Sequence, residues 1–123
     1  RRCGWFDLVA ARYSCRINGL TGIALTKLDI LDYFKNIQVC THYEYQGSKV
    51  SEMSSVLNCL DEITPIYKNF KGWNCSLENI QSYEELPVEA KEYIKYLSSE
   101  LEVPIQIISI GPKRNQILHV QSL

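Results

Sequence analysis

The stretch that decides the fold is Gly22-Ile23-Ala24-Leu25-Thr26-Lys27-Leu28-Asp29. Its first half is an apolar run after a glycine, a pattern that predicts a short buried strand. A second run, residues 103–110, is rich in β-branched side chains and stops at Gly111-Pro112, which predicts another strand that enters a tight loop. These two strand ends contain the main candidate ligand-binding residues of the sequence.

The Thr26-Lys27-Leu28-Asp29 end has the residue types that recognise guanine. Guanine presents its N1–H and exocyclic amine side by side, and one carboxylate such as Asp29 accepts both in a planar pair. Adenine lacks this donor pair, so the carboxylate would discriminate between the two purines. The aliphatic part of Lys27 can cover the base while its ammonium stays in water. On these four residues alone, an exposed lysine and an aspartate that caps the next turn remain an open alternative.

The other strand end would complete such a pocket. Gly111 permits close backbone approach or a positive φ, and the amides of its loop can donate to guanine O6. The hydroxyl of Ser109 offers a further polar contact. An ordinary strand-to-turn transition is the alternative here.

Two helices have clear sequence boundaries. Asp7 is a suitable N-cap for the first, which Asn18-Gly19 ends, and Pro87 opens the second because proline suits the first helical position. Their apolar stripes are Phe6, Val9, Ala10, Tyr13 and Ile17, then Ala90, Tyr93, Ile94, Leu97 and Leu101. Shorter helical segments are predicted at residues 30–34 and 54–61.

Alternating or β-branched runs predict the remaining strands. Residues 37–45 and 49–51 form a hairpin, residues 65–70 form a further strand, and residues 116–120 form an edge strand. The predicted fold class is therefore α+β, a mixed sheet with hairpins and two to three helices. A length of 123 residues suits a single domain over 1–123.

Composition excludes several classes of protein. A net charge of −1 gives no basic field for nucleic acid, and no stretch approaches the roughly 18 apolar residues of a membrane span. Five irregularly spaced cysteines argue against a disulfide framework and favour a reducing, cytoplasmic environment. No G-x-x-x-x-G-K-[ST] phosphate loop occurs and the chain begins at Arg1, so we expect a piece of a longer protein whose phosphate site lies upstream.

The sequence resembles the C-terminal part of the adenylosuccinate synthetase family. The resemblance starts at Arg1-Arg2-Cys3-Gly4-Trp5-Phe6-Asp7 and continues through Leu25-Thr26-Lys27-Leu28-Asp29-Ile30-Leu31-Asp32. It also covers residues 17–22, 67–73, 86–87, 93–94 and 103–112, in order along nearly the whole chain. The resemblance implies the C-terminal part of a larger α/β, P-loop-like, GTP-dependent enzyme.

The chemistry that this resemblance implies is the joining of IMP to L-aspartate. GTP, with Mg²⁺, phosphorylates the 6-oxygen of IMP, and the amine of aspartate then displaces the phosphate to give adenylosuccinate. The protein contributes positioning and charge stabilisation. The implied enzyme is a cytoplasmic homodimer, and its catalytic residues, Mg²⁺ ligands and IMP site all lie upstream of this chain.

Only guanine recognition and one substrate contact are implied for this chain. Lys27, Leu28 and Asp29 match the family's guanine-binding segment. The loop that completes the base pocket is matched by Ser109, Ile110 and Gly111. Arg1 matches the end of a loop that contacts aspartate and GTP, where a guanidinium suits carboxylate and phosphate oxygens. We therefore expect no synthetase activity from this chain alone.

Two other readings of the residues stay open. One is a stand-alone guanine-nucleotide binding module, for which only Lys113-Arg114 offers charge for a phosphate. The other is an interaction or structural domain with a coincidental strand-end motif, which predicts no purine selectivity. Binding of GDP against ADP separates the two.

Overall fold

Two helices and seven strands make up the described part of the chain, residues 4–120 of a computed structural model. The helices are α1 (Leu8–Asn18) and α2 (Val88–Leu101). The strands are β1 (Phe6–Asp7), β2 (Ile23–Leu25), β3 (Asn36–Tyr45), β4 (Ser48–Val50), β5 (Thr64–Lys71), β6 (Ile105–Ser109) and β7 (Ile117–His119). This confirms the predicted α+β class with its β3–β4 hairpin and its edge strand β7.

The strands form two sheets where the sequence predicted one. In the larger sheet β3 lies parallel to β1 and antiparallel to β4 and β5. The smaller sheet has the order β2-β6-β7, with β2 parallel to β6 and Leu25 opposite Ile108. Because the two strands are parallel, their carboxyl ends meet at one edge of the sheet. This pairing brings the loop after Leu25 beside the loop after Ser109.

Helix α1 has the predicted ends, and its buried face matches the predicted stripe only in part. The Asp7 carboxylate accepts a hydrogen bond from the Ala10 N–H at 3.1 Å, and Gly19 closes the helix with φ 58°. Its buried residues are Leu8, Val9 and Cys15, so Val9 of the predicted stripe is confirmed, whereas Ile17 is 63% exposed. Ile17 lies about two and a half turns after Leu8 and therefore points to the opposite side of the helix. The predicted apolar stripe is wrong at that residue.

Helix α2 matches its prediction closely. Its five predicted stripe residues, Ala90, Tyr93, Ile94, Leu97 and Leu101, are all buried. They join one core with Ile37 and Val39 of β3 and with strands β6 and β7. Pro87 is the N-cap and not the first helical residue, a shift of one position. The core thus lies between the two sheets and the helices.

The two short helical predictions are wrong in position or type. Residues 54–61 contain no α-helix, and 3₁₀ turns occupy Met53–Ser55 and Leu60–Glu62. Val56 is the one residue of that segment with a buried side chain, too few for an amphipathic helix. The turn predicted at residues 30–34 begins earlier, as a 3₁₀ turn over Leu28–Leu31.

Gly72 is required by a close approach of two backbones. It follows β5, its N–H donates to the Lys35 carbonyl at 2.8 Å, and a Cβ added there would lie 1.8 Å from the Phe34 carbonyl oxygen. We expect Gly72→Ala to lower the free energy of unfolding by about 2–4 kcal/mol, because backbone must move. Urea unfolding measures the change. Gly4→Ala is the matched control, since nothing lies within 4 Å of its added Cβ, and equal effects of the two would contradict the clash.

A partly buried hydrogen-bonded pair links the N-cap of α1 to β3 and makes stability sensitive to alkaline pH. The Tyr43 hydroxyl donates to the Asp7 carboxylate, while the nearby Cys40 thiol donates to the His42 carbonyl. Burial, and then the charge of Asp7, raise the pKa of Cys40 from 9.0 to about 11. Burial followed by the Asp7 contact raises the pKa of Tyr43 as well.

Both groups therefore hold their protons more tightly in the folded state. The contribution of Cys40 is complete below pH 9.0 and is lost as the pH rises through about 11. Because the ordinary pKa of tyrosine is 10.0 and that of Tyr43 is raised, its contribution starts to fall only above pH 10.0. We expect the free energy of unfolding to fall over that interval, measured by urea titration, and the fall to be smaller in Cys40→Ala. The exposed Cys75 supplies the control Cys75→Ala, which should keep the wild-type slope. A flat profile in the wild type would contradict the expectation.

Candidate functional site

The two strand ends border one cleft of about 310 Å³, which we call the strand-end cleft. The turn after β2 supplies Asp29, and the loop after β6 supplies Ile110 and Gly111. Ser76 and Glu78 complete one side of it. The parallel β2–β6 pairing therefore brings Asp29 and Gly111 together, as the sequence predicted.

The Asp29 carboxylate is free to bind a ligand. Its side chain is half-buried, and no donor among residues 4–120 gives it a hydrogen bond. Asp29 lies inside the 3₁₀ turn Leu28–Leu31, and its side chain makes no capping hydrogen bond to that turn, so the capping role left open by the sequence is not observed. A carboxylate at a cleft wall with both oxygens unpartnered can accept a pair of adjacent donors.

Lys27 has a strained backbone and faces a different pocket. Its φ of 58° and ψ of 37° lie in the left-handed region, which costs a non-glycine residue roughly 1–2 kcal/mol. The next side chain, Leu28, is 2% exposed and anchors the turn in the core. Lys27 lines a neighbouring pocket of about 150 Å³ with Leu25 and Ile30, so its side chain does not share the strand-end cleft with Gly111.

Asp32 fixes the turn that carries Asp29 through two buried hydrogen bonds. It is 6% exposed, and its two oxygens accept hydrogen bonds from the Trp73 indole N–H at 2.9 Å and the Leu77 backbone N–H at 3.0 Å. It also lines the strand-end cleft. Sequence analysis did not assign this residue a role. The available signal was a second acidic residue three positions after Asp29 in an apolar turn.

Gln116 closes the loop that carries Gly111. Its carbonyl accepts from the Ile110 N–H at 2.9 Å, its N–H donates to the Lys113 carbonyl at 3.0 Å, and its side-chain oxygen accepts from the Lys113 N–H at 3.1 Å. A Cβ on residue 111 would lie 2.2 Å from that side-chain oxygen. Gly111 thus permits close approach, one of the two predicted reasons. The other does not apply, since its φ is not positive.

The last predicted residues fall away from the cleft. The Ser109 hydroxyl donates to the Gly111 carbonyl at 3.1 Å and so stabilises the Gly111 loop, but Ser109 does not line the cleft. Arg1, predicted to contact substrate, lies outside the described residues. Besides Asp32, four residues that line the cleft had no role predicted from the sequence: Ser76, Glu78, Pro112 and Gln116. Lys113 also lines it, and the sequence had offered that residue only as a charge for a phosphate. Ser76 and Glu78 come from a segment without any strand or helix pattern.

Residues 4–120 show neither a metal-binding cluster nor a membrane-spanning helix. Across residues 4–120, no group of three histidine, cysteine or acidic side chains is arranged to hold a metal ion. The helices of the same range are too short or too polar to cross a lipid bilayer.

Known proteins match the chain along nearly its whole length. The family model described as adenylosuccinate synthetase matches residues 1–118. Adenylosuccinate synthetases from Flavobacterium johnsoniae and Thermodesulfovibrio yellowstonii are each 45% identical to it, over 96% and 99% of this chain but 28% and 29% of their own lengths. A fully ligated adenylosuccinate synthetase structure from Plasmodium falciparum superposes with a TM-score of 0.88 at 31% identity, over 98% of this chain and 30% of that one. The chain spans under a third of these relatives, and it belongs to the adenylosuccinate synthetase family.

Proposed function

We propose that the strand-end cleft binds the guanine base of GTP in an enzyme that joins IMP to L-aspartate. The observation that carries this proposal is the unpartnered Asp29 carboxylate in the same cleft as Gly111. Family membership supplies the reaction.

The hydrogen-bonding groups of the cleft are complementary to guanine. Asp29 offers two acceptor oxygens for N1–H and the exocyclic amine. The Gly111 N–H has no hydrogen-bond partner among residues 4–120, so it is available to donate to O6. Adenine has the reverse pattern at these positions, an acceptor at N1 and a donor amine at C6. The cleft therefore favours guanine over adenine.

The backbone at Lys27 supports the same assignment. A left-handed lysine persists only where the surrounding structure holds it, and such strain is frequent at ligand sites. Here the buried Leu28 holds the turn, and the strain projects Asp29 into the cleft. The Ile110 side chain is 1% exposed and belongs to the core, so in the proposed complex this residue borders the base through its backbone. The Ser109 hydroxyl stabilises the Gly111 loop.

This chain contributes nucleotide specificity to a reaction whose chemistry takes place elsewhere in the enzyme. In the proposed reaction the γ-phosphoryl group of GTP moves to the 6-oxygen of IMP, and aspartate then displaces it. Arg1 is proposed to contact aspartate and GTP. The proposal places the Mg²⁺ ligands in the rest of the enzyme and assigns none to this chain. A homodimer in the cytoplasm is part of the same proposal.

The activity is tested in the intact enzyme that contains this chain. We expect it to form adenylosuccinate from IMP and aspartate with GTP, followed by chromatography of the product, and to use ATP poorly. The 123-residue chain alone should form none. Product from the isolated chain, or none from the intact enzyme, would overturn the proposal.

A further inference from the structure

Gln116 has one unused hydrogen-bonding group at the strand-end cleft. Its backbone carbonyl accepts from the Ile110 N–H at 2.9 Å, and its backbone N–H donates to the Lys113 carbonyl at 3.0 Å. The side-chain oxygen Oε1 accepts from the Lys113 N–H at 3.1 Å. Within residues 4–120 the amide nitrogen Nε2 donates to no protein group. Because the half-buried side chain lines the cleft, its two donor hydrogens are available there to a ligand.

The Lys113 N–H determines which way the Gln116 amide is turned. A backbone N–H needs an acceptor, so the side-chain oxygen faces Lys113 and the nitrogen takes the other side of the amide. The opposite orientation would place two donors against each other. The nitrogen lies beside Gly111, since a Cβ added to that residue would be 2.8 Å from Nε2. Gln116 therefore offers a donor next to the Gly111 loop.

Three neighbouring strand ends supply the hydrogen-bonding groups of the cleft. The smaller sheet has the order β2-β6-β7, and β7 runs antiparallel to β6 with Ile117 opposite Ser109. The start of β7 therefore lies at the sheet edge where β2 and β6 end. In the order of these strands, the cleft has the Asp29 carboxylate as an acceptor, the Gly111 N–H as a donor and the Gln116 amide as a second donor.

One edge of guanine presents the complementary groups in the same order. The exocyclic amine and N1–H are donors, O6 is the next group and an acceptor, and N7 follows as a second acceptor. When Asp29 accepts the donor pair and the Gly111 N–H donates to O6, the next group of the base is N7 and the next group of the cleft is Nε2 of Gln116. We propose that Gln116 is a further specificity-determining residue, which donates from Nε2 to N7 of guanine. This inference rests on the proposed binding of guanine and adds a third recognised position to it.

Two charged side chains of the cleft are less suited to this role. Glu78 has only acceptor oxygens, so it cannot donate to N7. Lys113 can donate, but its side chain is exposed, and within residues 4–120 no hydrogen bond or ion pair holds its ammonium in the cleft. Gln116 is held by its three hydrogen bonds to Ile110 and Lys113, so its donor is fixed before a ligand arrives.

The first test compares GTP with 7-deaza-GTP, in which a C–H group replaces N7, as phosphoryl donors for the intact wild-type enzyme. We expect kcat/KM to be roughly 5- to 10-fold lower with 7-deaza-GTP, the loss that corresponds to one hydrogen bond. Equal use of the two nucleotides would overturn the inference. ATP in the same assay separates this result from the proposed function. If GTP is preferred to ATP but not to 7-deaza-GTP, guanine binding stands and only the role of Gln116 fails; no preference for GTP over ATP would overturn guanine binding itself.

The second test separates the donor from the structural role of Gln116. Gln116→Glu keeps an oxygen for the Lys113 N–H but replaces the Nε2 donor by an acceptor, so it should fold with a nearly unchanged Tm and lose the preference for GTP over 7-deaza-GTP. A purely structural role predicts that this variant keeps the preference, and that result would overturn the inference. Gln116→Met has a similar length and no donor, and it should lose the preference too. It decides the test if Gln116→Glu fails to fold.

Asn115→Asp is the matched control for the change of an amide to a carboxylate. Asn115 is exposed, lies in the same loop and does not line the strand-end cleft. The variant adds the same charge and should keep the wild-type ratio of GTP to 7-deaza-GTP use. An equal loss of the preference in Asn115→Asp would show an effect of charge alone. Loss of the preference in Lys113→Met but not in Gln116→Glu would assign N7 to Lys113, and either result overturns the inference.

Discussion

Asp29→Asn is expected to reduce the use of GTP by the intact enzyme roughly 5- to 150-fold in kcat/KM, which corresponds to about 1–3 kcal/mol of transition-state stabilisation. Asparagine keeps the size of the side chain but replaces one acceptor oxygen by a donor amide. That amide would face the donor pair of guanine. Because the Asp29 carboxylate has no hydrogen-bond donor within residues 4–120, the fold should not depend on it.

Inosine triphosphate makes the same measurement more specific. It lacks the exocyclic amine of guanine, so the wild-type enzyme should prefer GTP to it, and the preference should shrink in Asp29→Asn. The exposed Asp61 supplies a control of the same chemistry outside the cleft, and Asp61→Asn should leave both rates unchanged. Unchanged GTP, ATP and inosine triphosphate rates in Asp29→Asn would show that the guanine site lies elsewhere.

Asp32→Ala is expected to lower the free energy of unfolding by about 2–6 kcal/mol. The substitution leaves the buried Trp73 indole N–H and Leu77 N–H without their protein acceptor. Each buried donor left unsatisfied costs about 1–3 kcal/mol. Asp32→Asn keeps one acceptor oxygen and should lie between the wild type and Asp32→Ala. Urea unfolding of the three proteins measures the order.

A double-mutant cycle assigns part of this cost to the Trp73 contact. Trp73→Phe removes the donor and keeps an aromatic ring, so Asp32→Ala should be less costly in that background. Asp61→Ala, at an exposed position, serves as the control for loss of an acidic side chain. Equal costs of Asp32→Ala in the two backgrounds would mean that the indole contact contributes nothing to stability. Since Asp32 supports the Asp29 turn, Asp32→Ala should also weaken the preference for GTP.

Elements that depend on local pattern were predictable from the sequence. The stripe of α2 has an unambiguous helical period, so all five of its residues are where the pattern placed them. Strands β3, β5 and β6 follow in the same way from β-branched and alternating runs. In α1, two apolar sets compete for the buried side, and contact with β3 and α2 decides between them. That contact is absent from the local sequence, so Ile17 was assigned wrongly.

Features that depend on partners distant in sequence were not predictable. Nothing near Asp32 indicates that its carboxylate meets Trp73, because the two side chains come together only after folding. The division of the strands into two sheets has the same origin, since pairing depends on partners and not on the pattern of a single strand. The candidate site itself was found because a strand end with Lys27 and Asp29 has a specific chemistry. The positive φ of Lys27 accompanies the burial of Leu28, and nothing in the neighbouring sequence indicates that a lysine adopts this conformation.

The pairing of Leu25 with Ile108 sets the order in which the cleft can form. Its two walls come from opposite ends of the chain, so a ribosome completes the Asp29 turn long before it makes the loop of Gly111. Contacts of such large sequence separation require closure of a long loop and form slowly. A nascent chain that already has Asp29 therefore lacks one wall of the cleft. If the cleft binds guanine as proposed, selection between nucleotides begins only when synthesis of this part of the polypeptide is nearly complete.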